Sequence, residues 1–337
     1  MKRFKIFTTF STTLVKKLVE KSVTSFSKNL KQEELPEFAQ ILGTRLNLKK
    51  EFSMPKEKKF LLALLIIFIF SLAFGEQALG QPSSKILLCN DDGIDAPGIA
   101  VLFEKFLPIG SVTVAAPVRN FSGSSHAITT QEIILVEESV KKGAKWFAIN
   151  ATPATCVRLA LECLLPEKPD IVISGINKGD NVGVVTFYSA TVSCAREAAF
   201  LRIPAIAVSL EVGEKMDYEF AADFIVELAK EMKGKGLKGD TFLNVNFPAL
   251  PKNLIKGVLV TRQDLRASFE YYDKRINLKG QIYFWPLYKP LDQGTQEMTD
   301  VWALKNGFIS ITPFQFDQTD VSKLKDLEAW KFTKWRR

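Results

Sequence analysis

The chain has 337 residues, of which 47% are apolar, and its formal net charge is +8. This length and apolar fraction allow one large or two medium domains with a substantial core. Residues 1–59 hold 14 basic and 6 acidic side chains, whereas the remaining 278 residues hold 31 of each. The basic charge therefore belongs to the N-terminal segment, and it gives no reason to expect a nucleic-acid polymer as the ligand of the folded part.

An apolar run, Phe60–Phe74, dominates the first part of the chain. It follows the lysine-rich Met54–Lys59 and precedes small residues up to Gly80, which is the pattern of a secretory signal peptide. The run is shorter than the roughly 20 residues of a spanning helix, and an uncleaved membrane anchor is the alternative. We predict that residues 54–80 are this signal or anchor and that residues 1–53 are an extension, disordered or not native. The expected location is periplasmic or secreted, with the cytoplasm as the alternative, and with membrane contact only through this segment.

From Lys85 onward, short apolar runs alternate with stretches of helical period. The predicted strands are Lys85–Cys89, Ser111–Ala116, Asp170–Ser174, Ala205–Ser209, Phe242–Val245 and Val258–Thr261, with Glu132–Val136 and Lys145–Ile149 as a strand pair that extends the sheet. Helices are expected after Pro97 and Pro153, over Ser189–Leu201 and over Tyr218–Lys233. This alternation predicts a doubly wound, three-layer, Rossmann-like α/β core over residues 85–265, with a mostly parallel sheet.

The pattern changes at Arg266. Over Arg266–Leu291, aromatic and charged residues alternate around Asn277–Gly280, which predicts a protruding β-hairpin. Its aromatic side chains need a surface to cover, and a partner subunit is a plausible one. A helix near Thr299–Leu304, a strand at Gly307–Thr312 and a helix from Asp320 are expected to follow. Residues 266–337 are therefore interpreted as a hairpin, strand and helix that form an oligomerisation arm.

Three polar loops follow three predicted parallel strands. They are Asn90-Asp91-Asp92-Gly93, Arg119-Asn120-Phe121-Ser122-Gly123-Ser124-Ser125 and Ser174-Gly175-Ile176-Asn177. If the strands are neighbours, the loops meet at one edge of the sheet, where ligands bind in open α/β folds. Two carboxylates, a hydroxyl and a carboxamide form an all-oxygen set that suits one hard divalent cation, Mg²⁺, Mn²⁺ or Ca²⁺. Zinc is disfavoured because the chain has a single histidine.

Phosphate is the natural anion beside such a cation. The glycines of these loops allow backbone N–H groups to approach an anion closely. The helix that opens at Ser189 and Thr191 adds a positive dipole end and two hydroxyl groups, although both residues could simply cap the helix. Asn120, Gly123 and Asn181 are further candidates to line the phosphate pocket. These parts predict metal-assisted hydrolysis of a phosphomonoester, with a carboxylate that activates water, and we assign Asp91 to that role and Asp92 mainly to metal binding.

Other reactive side chains have simpler interpretations. His126 lies near Ser122, Ser124 and Ser125, but no G-x-S-x-G motif is present, so a serine hydrolase is disfavoured. The histidine then either faces the pocket or is an ordinary loop residue. Cys89, Cys156, Cys163 and Cys194 form no CxxC pair and are interpreted as buried small apolar residues.

The segments ILLCNDDGIDAPGI, APVRNFSGSSHAIT, NATPATCV, PDIVISGINKGDNVG, YSATVSCAREA, IPAIAVSL, NVNFP and GFISITP resemble, in this order, the SurE family of stationary-phase survival nucleotidases. The resemblance covers about Lys85 to Asp320. It implies a divalent-metal-dependent phosphatase acting on nucleoside 5′- and 3′-monophosphates, with side activity on polyphosphate. It places the metal ligands at Asp91, Asp92, Ser122 and Asn177, and it implies a homodimer or homotetramer with an exchanged C-terminal hairpin or helix.

Two positions depart from the family pattern. Ala190 stands where the family has the glycine of Tyr-Ser-Gly-Thr, and Ala198 replaces the glycine of a Glu-Gly pair. The added methyl groups could narrow the phosphate pocket, so a catalytically silent nucleotide-binding protein is one alternative. An exported broad-specificity acid phosphatase is the other, because the signal-like segment is atypical of a mostly cytosolic family.

Overall fold

The computed structural model describes residues 84–235, 240–266, 270–288 and 296–330. The extension and the signal or anchor segment expected over residues 1–80 lie outside these ranges. Within them, no helix combines the length and the apolar character that crossing a bilayer requires.

A nine-stranded sheet and a separate two-stranded hairpin contain all the described strands. The strands are β1 Ser84–Cys89, β2 Gly110–Pro117, β3 Val136–Lys141, β4 Ala144–Ile149, β5 Ile171–Lys178, β6 Ala205–Leu210, β7 Thr241–Phe247, β8 Val258–Val260, β9 Glu270–Ile276, β10 Ile282–Tyr288 and β11 Ile309–Gln315. In the large sheet the order is β3-β4-β2-β1-β5-β6-β7-β11-β8, and the six strands from β4 to β7 run parallel.

Helices cover both faces of the large sheet. They are α1 Pro97–Phe106, α2 Pro153–Leu159, α3 Ala190–Phe200, α4 Tyr218–Lys235, α5 Asp300–Lys305 and α6 Val321–Glu328, with a π-helical turn at Ala160–Leu164 and 3₁₀ turns at Gly183–Phe187 and Lys252–Leu254. Apolar residues of α1 and α4, such as Leu102 and Ile225, pack in one core cluster. Those of α2 and α3, such as Val157 and Val192, pack in a second cluster on the other face. The predicted three-layer α/β fold with a mostly parallel sheet is confirmed.

The strand order brings the three predicted site loops to neighbouring strands. β1 lies between β2 and β5 and is parallel to both, so the carboxyl ends of these strands lie side by side. Ile171, Val172 and Ile173 are buried because β5 is covered on both faces, as its continuous apolar run predicts. The arrangement on which the predicted site depends, three adjacent parallel strands, is therefore what the fold provides.

The end of β5 differs from the prediction. The strand continues past Ser174 to Lys178, and its pairing with β6 changes register between Ser174 and Asn177. Gly175 makes this possible because a Cβ atom there would lie 2.4 Å from the Val208 carbonyl oxygen. Asn177 therefore belongs to the irregular end of a strand rather than to a loop that follows it.

The prediction of a strand at Glu132–Val136 was wrong. The observed β3 begins at Val136 and pairs with β4 through a turn that contains Gly143. Every residue of β3 is exposed, because β3 is an edge strand, and its charged sequence therefore lacks the apolar signal of a buried strand. The prediction that Cys163 is buried was also wrong, because this residue is exposed on the π-helical turn. The other three cysteines are buried as expected.

The hairpin expected after Arg266 is present as β9 and β10, which pair antiparallel in a sheet of their own. We call β9, β10 and their connecting turn the arm. Several of its large side chains are exposed, including Tyr272, Phe284 and Trp285. The following β11 returns to the large sheet and lies between β7 and β8.

Candidate active site

Hydrogen bonds join the loops after β2 and β1 to each other and to the end of β5. The backbone N–H of Phe121 donates to the Asp91 carbonyl oxygen at 2.8 Å, which fixes the loop after β2 against the loop after β1. The backbone N–H of Lys178 donates to Asp92 Oδ2 at 3.1 Å, which fixes the end of β5 against the same loop. The predicted convergence of these segments is therefore observed.

Asp91 is the most enclosed acidic side chain of this edge. It is 3% exposed, and the Thr191 hydroxyl donates to its Oδ1 at 2.5 Å. Burial raises the pKa of Asp91 to about 6, the Thr191 hydrogen bond opposes this rise, and the neighbouring charge of Asp92 adds to it. The sequence suggests Thr191 only as a phosphate ligand or a cap. Its contact with Asp91, which joins residues 100 positions apart, was missed.

Asp92 is less buried than Asp91, and N–H groups from two other segments donate to it. Besides the Lys178 N–H, the Asn120 Nδ2 donates to its Oδ1 at 3.3 Å. Burial raises the pKa of the Asp92 carboxyl, while the Lys178 N–H and the Lys178 side-chain charge lower it. Neither Asp91 nor Asp92 forms an ion pair with a lysine or arginine of the described ranges. Two adjacent carboxylates thus share one edge without a salt bridge to a basic side chain of these ranges.

Asn120 also holds the predicted hydroxyl ligand. Its Oδ1 accepts the backbone N–H of Ser122 at 2.8 Å, so one side chain links Ser122 to Asp92. Ser122 and Gly123 are exposed, Gly123 has a φ of 77°, and a Cβ atom at Gly123 would meet no heavy atom within 4 Å. The rim of the site is therefore open on the side of this loop.

Asn177 provides the carboxamide. It is 8% exposed, and its Nδ2 donates to the Gly179 carbonyl oxygen at 2.8 Å. With the amide nitrogen engaged, the side-chain oxygen is the atom able to bind a cation. The described residues contain no group of three or more His, Cys, Asp or Glu side chains suited to a metal ion. A cation at this edge would therefore rely on the two aspartates and on neutral oxygen atoms, as expected from the sequence.

The other residues proposed to line the phosphate pocket lie deeper. Ser189 is the N-cap of α3, where its Oγ accepts the Val192 N–H at 3.1 Å. Asn181 is 5% exposed, and its Nδ2 donates to Ser209 Oγ at 2.8 Å. The backbone carbonyl oxygen of Asn181 accepts hydrogen bonds from the side-chain amides of Asn244 and Asn246. A phosphate-binding role of Asn181, Ser189 and Thr191 stays a prediction.

His126 contacts a carboxylate that the sequence did not single out. Its Nε2 lies 2.7 Å from Glu197 Oε2, and its ring stacks on Phe200 with centroids 5.2 Å apart. Arg158 donates to the other oxygen of Glu197 at 2.6 Å. Burial would raise the pKa of Glu197, but the hydrogen bonds from His126 and Arg158 outweigh it and lower that pKa. His126 thus fastens the loop after β2 to α3.

Three comparisons place the chain among known proteins. The family model described as "Survival protein SurE" matches residues 86–270. The 5′-nucleotidase SurE of Natranaerobius thermophilus is 40% identical over 256 residues, which cover 74% of this chain and 99% of that protein. The 5′-nucleotidase SurE of Geobacter sulfurreducens is 41% identical over 258 residues, with coverage of 75% and 95%. The crystal structure of the SurE protein from Aquifex aeolicus superposes with a TM-score of 0.65 and 39% identity, over 72% of this chain and 98% of that one.

Proposed function

The chain belongs to the SurE family, and we propose that it is a divalent-metal-dependent phosphatase that releases phosphate from nucleoside 5′- and 3′-monophosphates. The observation that carries this proposal is the pair Asp91 and Asp92, two adjacent carboxylates at the carboxyl edge of a parallel sheet with no ion-pair partner in the described ranges. The relatives named 5′-nucleotidase SurE support the same activity.

The residues at this edge fit a single hard cation. Asp91, Asp92, Ser122 and Asn177 would hold it, and Mg²⁺, Mn²⁺ or Ca²⁺ all accept such oxygen ligands. A divalent cation would compensate the negative charge that burial now penalises at Asp91 and Asp92. When bound, the cation supplies positive charge that stabilises the phosphoryl oxygens during hydrolysis.

The two aspartates have different hydrogen bonds, which suggests different roles. Both oxygens of Asp92 accept N–H groups, from Lys178 and from Asn120, so this carboxylate is held in one orientation as a ligand. The Thr191 hydroxyl fixes the Oδ1 of Asp91, and a carboxylate oriented in this way can accept a proton from an attacking water. We therefore assign Asp91 as the general base and Thr191 as the residue that orients it.

The substrate would enter the site past the exposed loop that follows β2. Asn120 and Gly123 lie on this rim, where exposed backbone N–H groups can meet a phosphate. Ser189 and Thr191 keep their proposed place at the phosphate end through the start of α3, whose dipole favours an anion. The inward hydrogen bonds of Asn181 favour a different role, in which it supports the segment from Gly179 to Val182 from below.

The silent-binder alternative depended on Ala190 and Ala198. Both residues are fully buried, and Ala198 packs in the apolar cluster between α3 and the sheet. The Ala198 methyl group therefore occupies core space, which favours an active enzyme over the silent binder at this position. Ala190 lies beside Ser189 at the start of α3, and the substrate panel tests the effect of its methyl group on the phosphate pocket.

A substrate panel tests the proposal. Purified protein is given nucleoside 5′- and 3′-monophosphates, polyphosphate and a simple aryl phosphate, with Mn²⁺ or Mg²⁺ and with a chelator, at acidic and neutral pH. We expect metal-dependent phosphate release with nucleotides preferred. A preference for the aryl ester at acidic pH would support the broad-specificity acid phosphatase, and nucleotide binding without turnover would support the silent binder.

Assembly and location complete the proposal. The exposed aromatic residues of the arm, Phe284 and Trp285 among them, support a homodimer or homotetramer formed through the arm. We propose the division into a core at 85–265 and an arm region at 266–337. We also retain export through residues 54–80 as a proposal, with N-terminal sequencing of the native protein as its test. A chain that starts at Met1 or Met54 would contradict cleavage of a signal peptide.

A further inference from the structure

Residues at both ends of the arm contact the turn that precedes α3. We call Gly183–Tyr188 the site turn. The Gly183 N–H donates to Asp300 Oδ2 at 2.8 Å, from the chain after the arm. The Gln263 Nε2 donates to the Gly183 carbonyl oxygen at 2.9 Å and to Thr186 Oγ1 at 2.7 Å, from the chain before the arm. We call Gln263 and Asp300, which flank the arm in sequence, the base of the arm. The base of the arm thus binds both the N–H and the carbonyl oxygen of Gly183.

Both carboxylate oxygens of Asp300 accept hydrogen bonds from backbone N–H groups. Asp300 is 0% exposed, its Oδ2 accepts the Gly183 N–H, and its Oδ1 accepts the N–H groups of Asp264 and Val301. Gly183 has a φ of 58°, and a Cβ atom there would lie 3.2 Å from both the Asp264 carbonyl oxygen and a Val301 methyl group. Gly183 therefore packs closely against Asp264 and Val301.

The other side of the site turn faces the proposed active site. The Ser125 N–H donates to the Tyr188 carbonyl oxygen at 3.0 Å, and the Ser125 hydroxyl donates to the Phe187 carbonyl oxygen at 2.6 Å. Ser125 lies on the same loop as Ser122, and Tyr188 leads directly into α3, where Thr191 holds Asp91. A displacement of the turn would therefore reach the open loop and Ser189, whose N–H donates to the Val185 carbonyl oxygen at 3.0 Å. Thr191 is held separately by its bond to Asp91, so the orientation of the base should be kept.

From these contacts we infer that Gln263 and Asp300 are positioning residues for the phosphate end of the site, so that the base of the arm sets the affinity for phosphate and nucleotide. The inference rests on the proposed function. Neither side chain hydrogen-bonds with Asp91 or Asp92 in the described ranges, and both act through the backbone of the site turn. The prediction is a change in binding, with little change in the chemical step.

Gln263→Glu is the most direct test. The substitution keeps the size of the side chain but places a carboxylate oxygen against the Gly183 carbonyl oxygen, where an N–H now donates. Gln281→Glu is the matched control, because the Gln281 Oε1 in the exposed turn of the arm accepts from Asn277 Nδ2 and a glutamate can accept the same bond. The two variants add the same charge at two places in the C-terminal region.

Three quantities are measured for each variant: the dissociation constant of inorganic phosphate with Mn²⁺ present, KM and kcat for a nucleoside 5′-monophosphate, and hydrogen exchange of peptides that cover residues 183–192. For Gln263→Glu we expect about tenfold weaker phosphate binding and a similar rise in KM, with kcat changed less than about twofold. Exchange should accelerate within 183–192 only. Gln281→Glu should match the wild type in all three.

Asp300→Asn gives an independent second variant. The asparagine oxygen can replace Oδ1, but its amide group would face the Gly183 N–H, so the bond to the turn is lost selectively. Asp320→Asn, at the N-cap of α6, is its control because the Asp320 side chain bonds the start of its own helix. If Asp300→Asn does not fold, Gln263→Glu still decides the question.

The outcomes separate this inference from the proposed function. Faster exchange of residues 183–192 with unchanged phosphate affinity and KM would overturn the positioning role alone. A wild-type protein that binds phosphate and weakens on Gln263→Glu, but releases no phosphate from any nucleotide, would uphold the positioning role and overturn the proposed function. A wild-type protein that binds neither phosphate nor nucleotide would overturn both.

Discussion

The carboxyl edge of β2, β1 and β5 and the arm both carry charged side chains, but they hold them in opposite surroundings. In the arm, Arg275 and Asp273 form an ion pair at 2.8 Å, with both side chains about half exposed. At the carboxyl edge, Asp91 is buried beside Asp92 and no described basic residue pairs with either. In the arm, exposure to solvent and the ion pair stabilise both charges. At the carboxyl edge, a buried negative charge without an ion-pair partner is costly, and a bound cation would stabilise it. This difference, and not the number of acidic residues, distinguishes a site from an ordinary charged surface.

The largest effect on stability is expected from adding a methyl group where α1 packs against β5, next to the carboxyl edge. Gly98 lies in α1, and a Cβ atom there would be 2.0 Å from the Ile176 carbonyl oxygen on β5. Gly98→Ala should lower the free energy of unfolding by about 3 kcal/mol, because backbone on both sides must move. The measurement is chemical denaturation.

Gly234→Ala is the control, since Gly234 lies in α4 and a Cβ atom added there would meet no heavy atom within 4 Å. It should leave stability unchanged or raise it by about 0.5 kcal/mol, because alanine is the better helix residue. Equal denaturation midpoints for the two variants would contradict the close packing of α1 on β5.

The next effect compares a buried ion pair with an exposed one. Glu197 is 1% exposed and binds His126 and Arg158. Glu197→Gln should cost about 2 kcal/mol near neutral pH, because hydrogen bonds to a charged, buried group are lost, tempered by the partial exposure of Arg158. Glu104→Gln, whose partner Lys142 is exposed, should cost less than about 0.5 kcal/mol.

The pH dependence of that difference follows from the lowered pKa of Glu197. A carboxyl group whose pKa is lower in the folded state contributes stability above its unfolded pKa, and this contribution is lost as the pH falls through the folded value. The advantage of the wild type over Glu197→Gln should therefore be largest near neutral pH and shrink below about pH 4. An advantage that grows on acidification would show that Glu197 is not the charged partner described here.

The smallest effect on the fold is expected in the arm. Trp285 is 55% exposed, so Trp285→Ser should leave the secondary structure unchanged and lower the molecular mass in sedimentation experiments. Ile133→Ser is the control, because Ile133 is 84% exposed but lies far from the arm in sequence and outside any strand. An unchanged mass for Trp285→Ser would contradict assembly through the arm.

The sequence predicted the architecture because its buried strands carry a clear local signal. The apolar runs of β1, β5 and β6 and the turn residues after them are readable one segment at a time. β3 was misplaced because an exposed edge strand such as Val136–Lys141 has no apolar face to reveal it. The end of β5 was missed because Gly175 resembles a turn, whereas it lets the chain pass close to β6.

The site was predictable only where it lies next to a strand end. Asp91 and Asp92 follow a readable strand and Asn177 lies near the end of another, so their approach could be deduced from topology. The supporting contacts could not, because Thr191 reaches Asp91 across 100 positions and Asp300 reaches Gly183 across 117. Such contacts depend on tertiary packing, and no local spacing in the sequence encodes them.

The central claim is that the adjacent carboxylates of Asp91 and Asp92 bind the catalytic metal ion. Asp91→Asn tests it against Asp95→Asn, an exposed aspartate in the same loop. With Mn²⁺ and a nucleoside 5′-monophosphate, Asp91→Asn should reduce phosphate release at least about 100-fold, because an amide can neither take a proton nor supply the ligand charge. Asp95→Asn should remain within about twofold of the wild type. Wild-type rates for Asp91→Asn, or equal losses in both variants, would contradict the account.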